Sequence, residues 1–140
     1  NYNMQINTNS SNGYVAYIKE SADLTSGNDT IPDLADTTID VGITEYGIAT
    51  SKTGQQISQI DDVYPDGNPD GVYDNNDCSY LNNNTVSATA SQLNTNNQTF
   101  SSYAEPVVET VYLFYMAAIA GNTPAGQYSH NIIITIMANF

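Results

Sequence analysis

The chain has no arginine and no tryptophan, and it holds only two lysines, one histidine and one cysteine. Lys19 and Lys52 stand against 15 carboxylates, for a formal charge of −13. Neutralising a phosphate backbone takes clustered Lys and Arg, so nucleic acid is not an expected partner. Docking on anionic lipid is excluded on the same ground. Cys78 alone cannot close an internal disulfide, and it is expected as a small buried or half-buried residue. One His with one Cys cannot furnish an ordinary zinc site of N and S ligands. His130 falls inside an alternating run that would expose it, so no Ser-His-Asp or Cys-His machinery is expected. Glycine patterns that cradle phosphates or dinucleotides are missing. Glu20, Glu45, Glu105 and Glu109 lack a local context that selects a catalytic pair, and solvated or edge positions are expected for them. The chain therefore reads as a non-enzyme.

Long apolar runs are also missing. The longest, residues 111–120, is ten residues, about half of what a bilayer-spanning helix requires. No membrane span is expected. No signal peptide is visible, so an exported form is expected to begin at Asn1 with its leader already removed.

In place of charge the chain carries 18 Asn, 15 Thr and 11 Tyr. Uncharged polar and tyrosine-rich surfaces suit secreted and cell-surface proteins, and that location is expected. Four N-x-S/T sequons, beginning at Asn9, Asn28, Asn83 and Asn97, are candidate glycosylation positions.

The dominant hydrophobic period is two, which argues strands rather than helices. Residues 1–8 alternate cleanly, with Tyr2, Met4 and Ile6 on one face. Asn12-Gly13 signals a turn, and residues 14–19 (YVAYIK) follow as a strand. Residues 39–49 are expected as one strand, with Ile39, Val41 and Ile43 on one face and a bulge at Gly42 or Gly47. Ile57 and Ile60 are expected to cover the core, and residues 85–90 alternate again. Residues 91–102 read as polar, anchored by Leu93 and Phe100. Residues 107–119 (VVETVYLFYMAAI) form the strongest run and are expected as a central strand. Residues 128–137 close the chain. The sum is about seven strands in one domain, residues 1–140: an all-β antiparallel sandwich, expected to be immunoglobulin-like.

Two segments carry a resemblance. TPAGQYSHNIIITIMANF (residues 123–140) resembles the closing hairpin of Ig-like domains in prokaryotic surface and pilus proteins. NTNSSNGYVAYIKESADL (residues 7–24) is similar to their first hairpin. The resemblance implies an Ig-like sandwich that serves as a filament or pilus subunit.

The sharpest local signal lies in an acidic loop, residues 61–84. Six of the 15 carboxylates fall within residues 61–77. Counting from Asp66, side-chain oxygens recur at loop positions one (Asp66), three (Asn68), five (Asp70), nine (Asp74) and twelve (Asp77). Gly71 stands at six, where the chain must turn, and Val72 at seven offers its backbone carbonyl. Calcium takes about six to eight oxygens, and this is the spacing at which a coiled loop supplies them. Asp61 and Asp62 are candidate auxiliary ligands. The D-x-N-x-D-G-x-x-D-x-x-D pattern followed by Cys78 resembles the calcium repeats of thrombospondin type 3 domains and the first half of a dockerin loop. No helical pattern flanks it, so it is not an EF-hand pair. Ca2+ is the expected cofactor.

These observations lead to an expected function: a structural subunit of an extracellular filament, pilus or surface assembly. Copies of the chain would be its partners, joined head to tail when Tyr2, Met4 and Ile6 of the N-terminal strand (residues 1–8) complete a neighbour's sheet. The alternative is a calcium-dependent adhesin or carbohydrate-binding module, with Tyr64, Tyr73 and Tyr80 beside the loop as sugar contacts.

Overall fold

A computed structural model describes residues 2–60 and 88–140 of the chain. They form ten strands and no helix: β1 (Tyr2–Thr8), β2 (Tyr14–Glu20), β3 (Leu24–Ser26), β4 (Asp29–Ile31), β5 (Thr38–Ile39), β6 (Glu45–Thr50), β7 (Ala88–Thr89), β8 (Gln98–Tyr103), β9 (Val107–Ala118) and β10 (Ile132–Ala138). Six of them build two three-stranded antiparallel sheets, ordered β1-β9-β6 and β10-β2-β8. The other four pair as two short ribbons, β3-β4 and β5-β7. The architecture is all-β and sandwich-like, with more strands than the sequence pattern suggests because the ribbons are only two or three residues long.

The alternation of side chains decides what lies between the sheets. Tyr14, Ala16, Ile18 and Glu20 point inward from β2, and all four are buried. Across the gap β9 contributes Val111 and Leu113, and β6 contributes Tyr46 and Ile48. Phe100, Leu93 and Ile57 complete this core. The opposite face of β9 is covered too. Phe114 and Met116 pack there with Leu34, Ile39, Ala49, Ile60 and Ala90, forming a second core under the β5-β7 ribbon. That is why β9 runs apolar from Val111 onward: it is central in its sheet, and between Val111 and Met116 it is buried or half-buried on both faces.

One side of the sandwich is closed. The segment 56–60 bonds to both sheets there: the Gln56 and Ile57 amides donate to the Thr99 carbonyl on β8, and the Ile60 amide donates to Thr50 on β6. Thr50 Oγ1 donates to the Phe100 carbonyl at 3.0 Å, which ties β6 to β8 directly. The outer edge of β6 is also occupied by residues 32–34 and by Ser91.

Three expectations change. Residues 39–49 are not one strand: Gly42 adopts φ +88°, and the chain turns between β5 and β6. Ile39 is buried, whereas Val41 and Ile43 are 46% and 52% exposed. Residues 98–103 form a strand, β8, although their sequence QTFSSY is polar. The closing strand begins at Ile132 rather than near Tyr128, and it is an edge strand.

Candidate functional site

β1 and β10 lie on the side away from the 56–60 closure, each at the edge of its own sheet. β1 pairs with β9 in an antiparallel register from Tyr2↔Leu113 to Thr8↔Val107. β9 runs on to Ala118, and among the described residues nothing pairs with it on the β1 side beyond Leu113. On the facing sheet, Ile132, Ile134 and Ile136 stand opposite the buried Glu20, Ile18 and Ala16, so they share the core face of β10. Ile132 and Ile134 are partly buried against the core, but Ile136 is 47% exposed. Tyr2, which points the same way from β1, is 54% exposed. Two core-facing side chains are therefore half in water, and no strand among the described residues spans the gap between the sheet edges. Ile133 and Met137, on the outer face of β10, add exposed apolar surface.

A cavity of about 350 Å³ opens at this side, lined by Leu24, Tyr46, Tyr115, Ala117, His130 and Ile132 among others. Its inner wall leads to a cluster of acids. Glu20 ends β2, Asp23 follows in the bend before β3, and Asp33 lies beside β6, where it bridges Tyr46. Their ligand oxygens all fall within 4.8 Å of one another. Glu20 is 3% exposed, against the solvated position expected for it, and Asp23 and Asp33 are half-buried. Burial pushes the Asp33 carboxyl up to about 7, and the neighbouring Glu20 charge adds to this. Burial also raises Glu20.

His130 completes the rim. It precedes β10 instead of lying within it, and its side chain is 7% exposed, so the expected exposed strand position is corrected. Its ring meets Tyr46 edge-on at 5.0 Å between centroids. Nδ1 lies 3.0 Å from the Ala22 carbonyl and 3.1 Å from Glu20 Oε2. Among the described residues, three buried side-chain oxygens lack a hydrogen bond of good geometry, Glu20 Oε2, Asp33 Oδ1 and the Tyr46 hydroxyl, although Glu20 Oε2 has the His130 contact and Gln92 and Glu20 both lie within reach of the Asp33 carboxyl. All three belong to this one place, and the Glu20 and Asp33 charges both act on the Tyr46 phenol, whose pKa burial raises strongly.

The other buried polar group is fully partnered. The Tyr14 hydroxyl lies 2.5 Å from Ser101 Oγ and donates to Glu109 Oε1 at 2.5 Å. Lys52 pairs with the other Glu109 oxygen and stands 5.9 Å over the Tyr103 ring. Burial, and then the bond to Glu109, raise the Tyr14 pKa. This network joins both sheets and leaves no reactive group idle, so its role is to hold the sandwich together. It also corrects the solvated position expected for Glu109, whose side chain is 14% exposed, and Glu45 is likewise buried, at 7%.

The expected calcium ligands Asp66, Asn68, Asp70, Val72, Asp74 and Asp77 lie outside the described residues, as do Asp61, Asp62, Cys78 and the sequon at Asn83. Of the assembly residues, Ile6 is 5% exposed and Met4 packs partly against the core of their own sandwich. The sequon asparagines Asn9, Asn28 and Asn97 are exposed, in the β1–β2 turn, the β3–β4 turn and the loop before β8. No helix among the described residues is long and apolar enough to cross a membrane. No family model, curated protein or solved structure gives a significant match to the chain.

The cluster had one signal in the sequence. Glu20 is in phase with Tyr14, Ala16 and Ile18, and period two places a carboxylate on the core face. Asp23, Asp33 and His130 join it only through the tertiary fold.

Proposed function

We propose that the chain is a structural subunit of an extracellular filament, pilus or other surface assembly, an immunoglobulin-like sandwich that joins copies of itself through the β1/β10 side. The observation that carries this reading is the half-exposure of Tyr2 and Ile136, core-facing residues on two neighbouring sheet edges. Unpaired strand edges are templates for pairing with another chain, and soluble monomers ordinarily blunt them with inward charges, prolines or covers. Here the edges carry Tyr2, Ile133, Ile136 and Met137 instead.

β1 supplies the means. Its contacts with β9 in its own chain are the contacts it makes when it fills the same lane in a neighbour, so exchange keeps the native register while linking copies. A head-to-tail exchange of this kind does not close on itself and grows into a row. The composition, rich in Asn, Thr and Tyr and nearly free of Lys and Arg, supports a secreted or cell-surface location. Calcium bound by Asp66, Asn68, Asp70, Asp74, Asp77 and the Val72 carbonyl braces the 61–84 loop in this reading.

Negative-stain electron microscopy of the purified protein, in calcium and in chelator, tests it. The reading expects rows or filaments in calcium. Single particles of one-domain size in both conditions would reject it in favour of the adhesin or carbohydrate-binding alternative.

A further inference from the structure

We infer that Glu20, Asp23 and Asp33 form a calcium site, separate from the acidic loop, that staples the two sheets together where β2 ends and β6 begins. The inference stands on the geometry of the cluster and does not rest on the assembly reading.

Three carboxylates bring their oxygens within 4.8 Å of one another. Such a group is common on protein surfaces, where water screens it. This one is partly inside. Glu20 is 3% exposed, and Glu20 Oε2, Asp33 Oδ1 and the Tyr46 hydroxyl are buried and lack a hydrogen bond of good geometry. Buried polar atoms are almost always partnered, and an unsatisfied one calls for an explanation. Here the unsatisfied oxygens among the described residues lie together: Glu20 and Asp33 belong to the cluster, and their charges act on the Tyr46 hydroxyl.

His130 Nδ1 reaches Glu20 Oε2; three species can satisfy the rest of the group, and they are not equivalent. A proton shared between Glu20 and Asp33 serves two oxygens and leaves the Asp23 charge and the Tyr46 hydroxyl as they are. A water molecule can donate two hydrogen bonds but neutralises nothing. A divalent cation does both: it gathers several oxygens and offsets the mutual repulsion of the carboxylates.

The donors select the metal. All are hard oxygens, which suit calcium, magnesium or manganese and not zinc or copper. His130 Nδ1 is engaged with the Ala22 carbonyl at 3.0 Å, so it orients the bend rather than ligating. Calcium tolerates an irregular cage with waters completing its shell, whereas magnesium demands near-octahedral geometry. A strand end, a bend and a strand-flanking segment make an irregular cage. Asp23 and Asp33 are half-buried and give the ion a route from solvent.

The position gives the ion a consequence. Glu20 belongs to the β10-β2-β8 sheet, and Asp33 is held against Tyr46 of the facing sheet through the Leu34 amide and the Pro32 carbonyl. An ion shared between them ties the sheets together at the end of the sandwich where β2 finishes and β6 begins. It also fixes Tyr46 and His130, two walls of the cavity.

The test uses the full chain with Asp66→Asn and Asp70→Asn to silence the loop, titrated with calcium chloride by isothermal calorimetry. One calcium per chain is expected. Adding Asp33→Asn should weaken that binding at least 100-fold and abolish the calcium-induced rise in melting temperature. In chelator the Asp33→Asn chain should melt no lower than its parent, because a like charge has gone, and this shows the fold intact. In the chain without loop substitutions, Asp33→Asn should lower the calcium stoichiometry by one. Absence of calcium binding in the folded loop-silenced chain would overturn the site. So would binding that neither Asp33→Asn nor Asp23→Asn weakens. Either result leaves the assembly reading intact, since that is scored by particle size.

Discussion

Replacing Ile6 by alanine separates the part β1 plays in its own fold from the part it plays between copies. Ile6 is 5% exposed and belongs to the core between the sheets. The substitution removes three carbons, a transfer loss of about 2.4 kcal/mol at ~0.8 kcal/mol per buried CH2. The cavity left behind brings the expected cost to about 3 kcal/mol. With a urea slope of about 2 kcal/mol per molar, the unfolding midpoint should fall by roughly 1.5 M. Tyr2→Ala is the paired perturbation. Tyr2 is 54% exposed, so its loss should cost about 1 kcal/mol or less. Its larger effect is expected on assembly, because its ring stands at the mouth of the opening. Urea unfolding followed by circular dichroism gives the first quantity, and sedimentation velocity gives the second. An Ile6→Ala midpoint equal to that of the parent would refute the reasoning, since β1 would then contribute nothing to its own core.

Gly47→Ala should destabilise the second core: a Cβ there would collide with Leu34 Cδ2 and stand 3.1 Å from Ala90 Cβ. Overpacking of this kind costs about 1–3 kcal/mol, read as a melting temperature lower by about 3–10 °C. In chelator, stability should fall as pH rises. The folded Asp33 carboxyl titrates near 7, above the ordinary carboxylate range, so its contribution is full at acid pH and lost through about pH 7. Urea midpoints at pH 5 and pH 8 should differ more for the parent than for Asp33→Asn, and equal differences would contradict this. Asp70→Ala, or chelator, should open residues 61–84 to protease, and an unchanged digestion pattern would remove calcium from that loop.

Period-two alternation makes β1, β2 and β9 legible in the sequence, because each has one or both faces buried against apolar partners. Gly13 marks the turn between β1 and β2 and adopts φ +68°, with the Tyr103 carbonyl so close that a Cβ would collide with it. Alternation misleads at residues 39–49. Ile39, Val41 and Ile43 are spaced as on a strand, yet the turn at Gly42 puts Ile39 in a core and the other two in water. β8 is not legible, since its strand character comes from pairing with β2 across a register shift at Ala16/Tyr17 and from the single anchor Phe100. The lateral opening is not legible either. Which strands are edges depends on sheet order, and no local pattern distinguishes Ile134, packed on the core, from Ile136, half in water. The acidic cluster joins Glu20 and Asp23 of one bend to Asp33 and, from far along the chain, to His130, and only Glu20 carries a sign of burial in its spacing.

Sedimentation velocity of the parent chain beside Ile136→Lys tests the central claim most directly. Ile136 points into the opening from β10 and is 47% exposed, so a lysine there can reach water in the monomer but places an inward charge where a second copy would pack. The account predicts concentration-dependent assembly of the parent, a monomeric Ile136→Lys chain, and closely similar urea midpoints for the two. A parent that stays monomeric at every concentration, or an Ile136→Lys chain that assembles as the parent does, would contradict it.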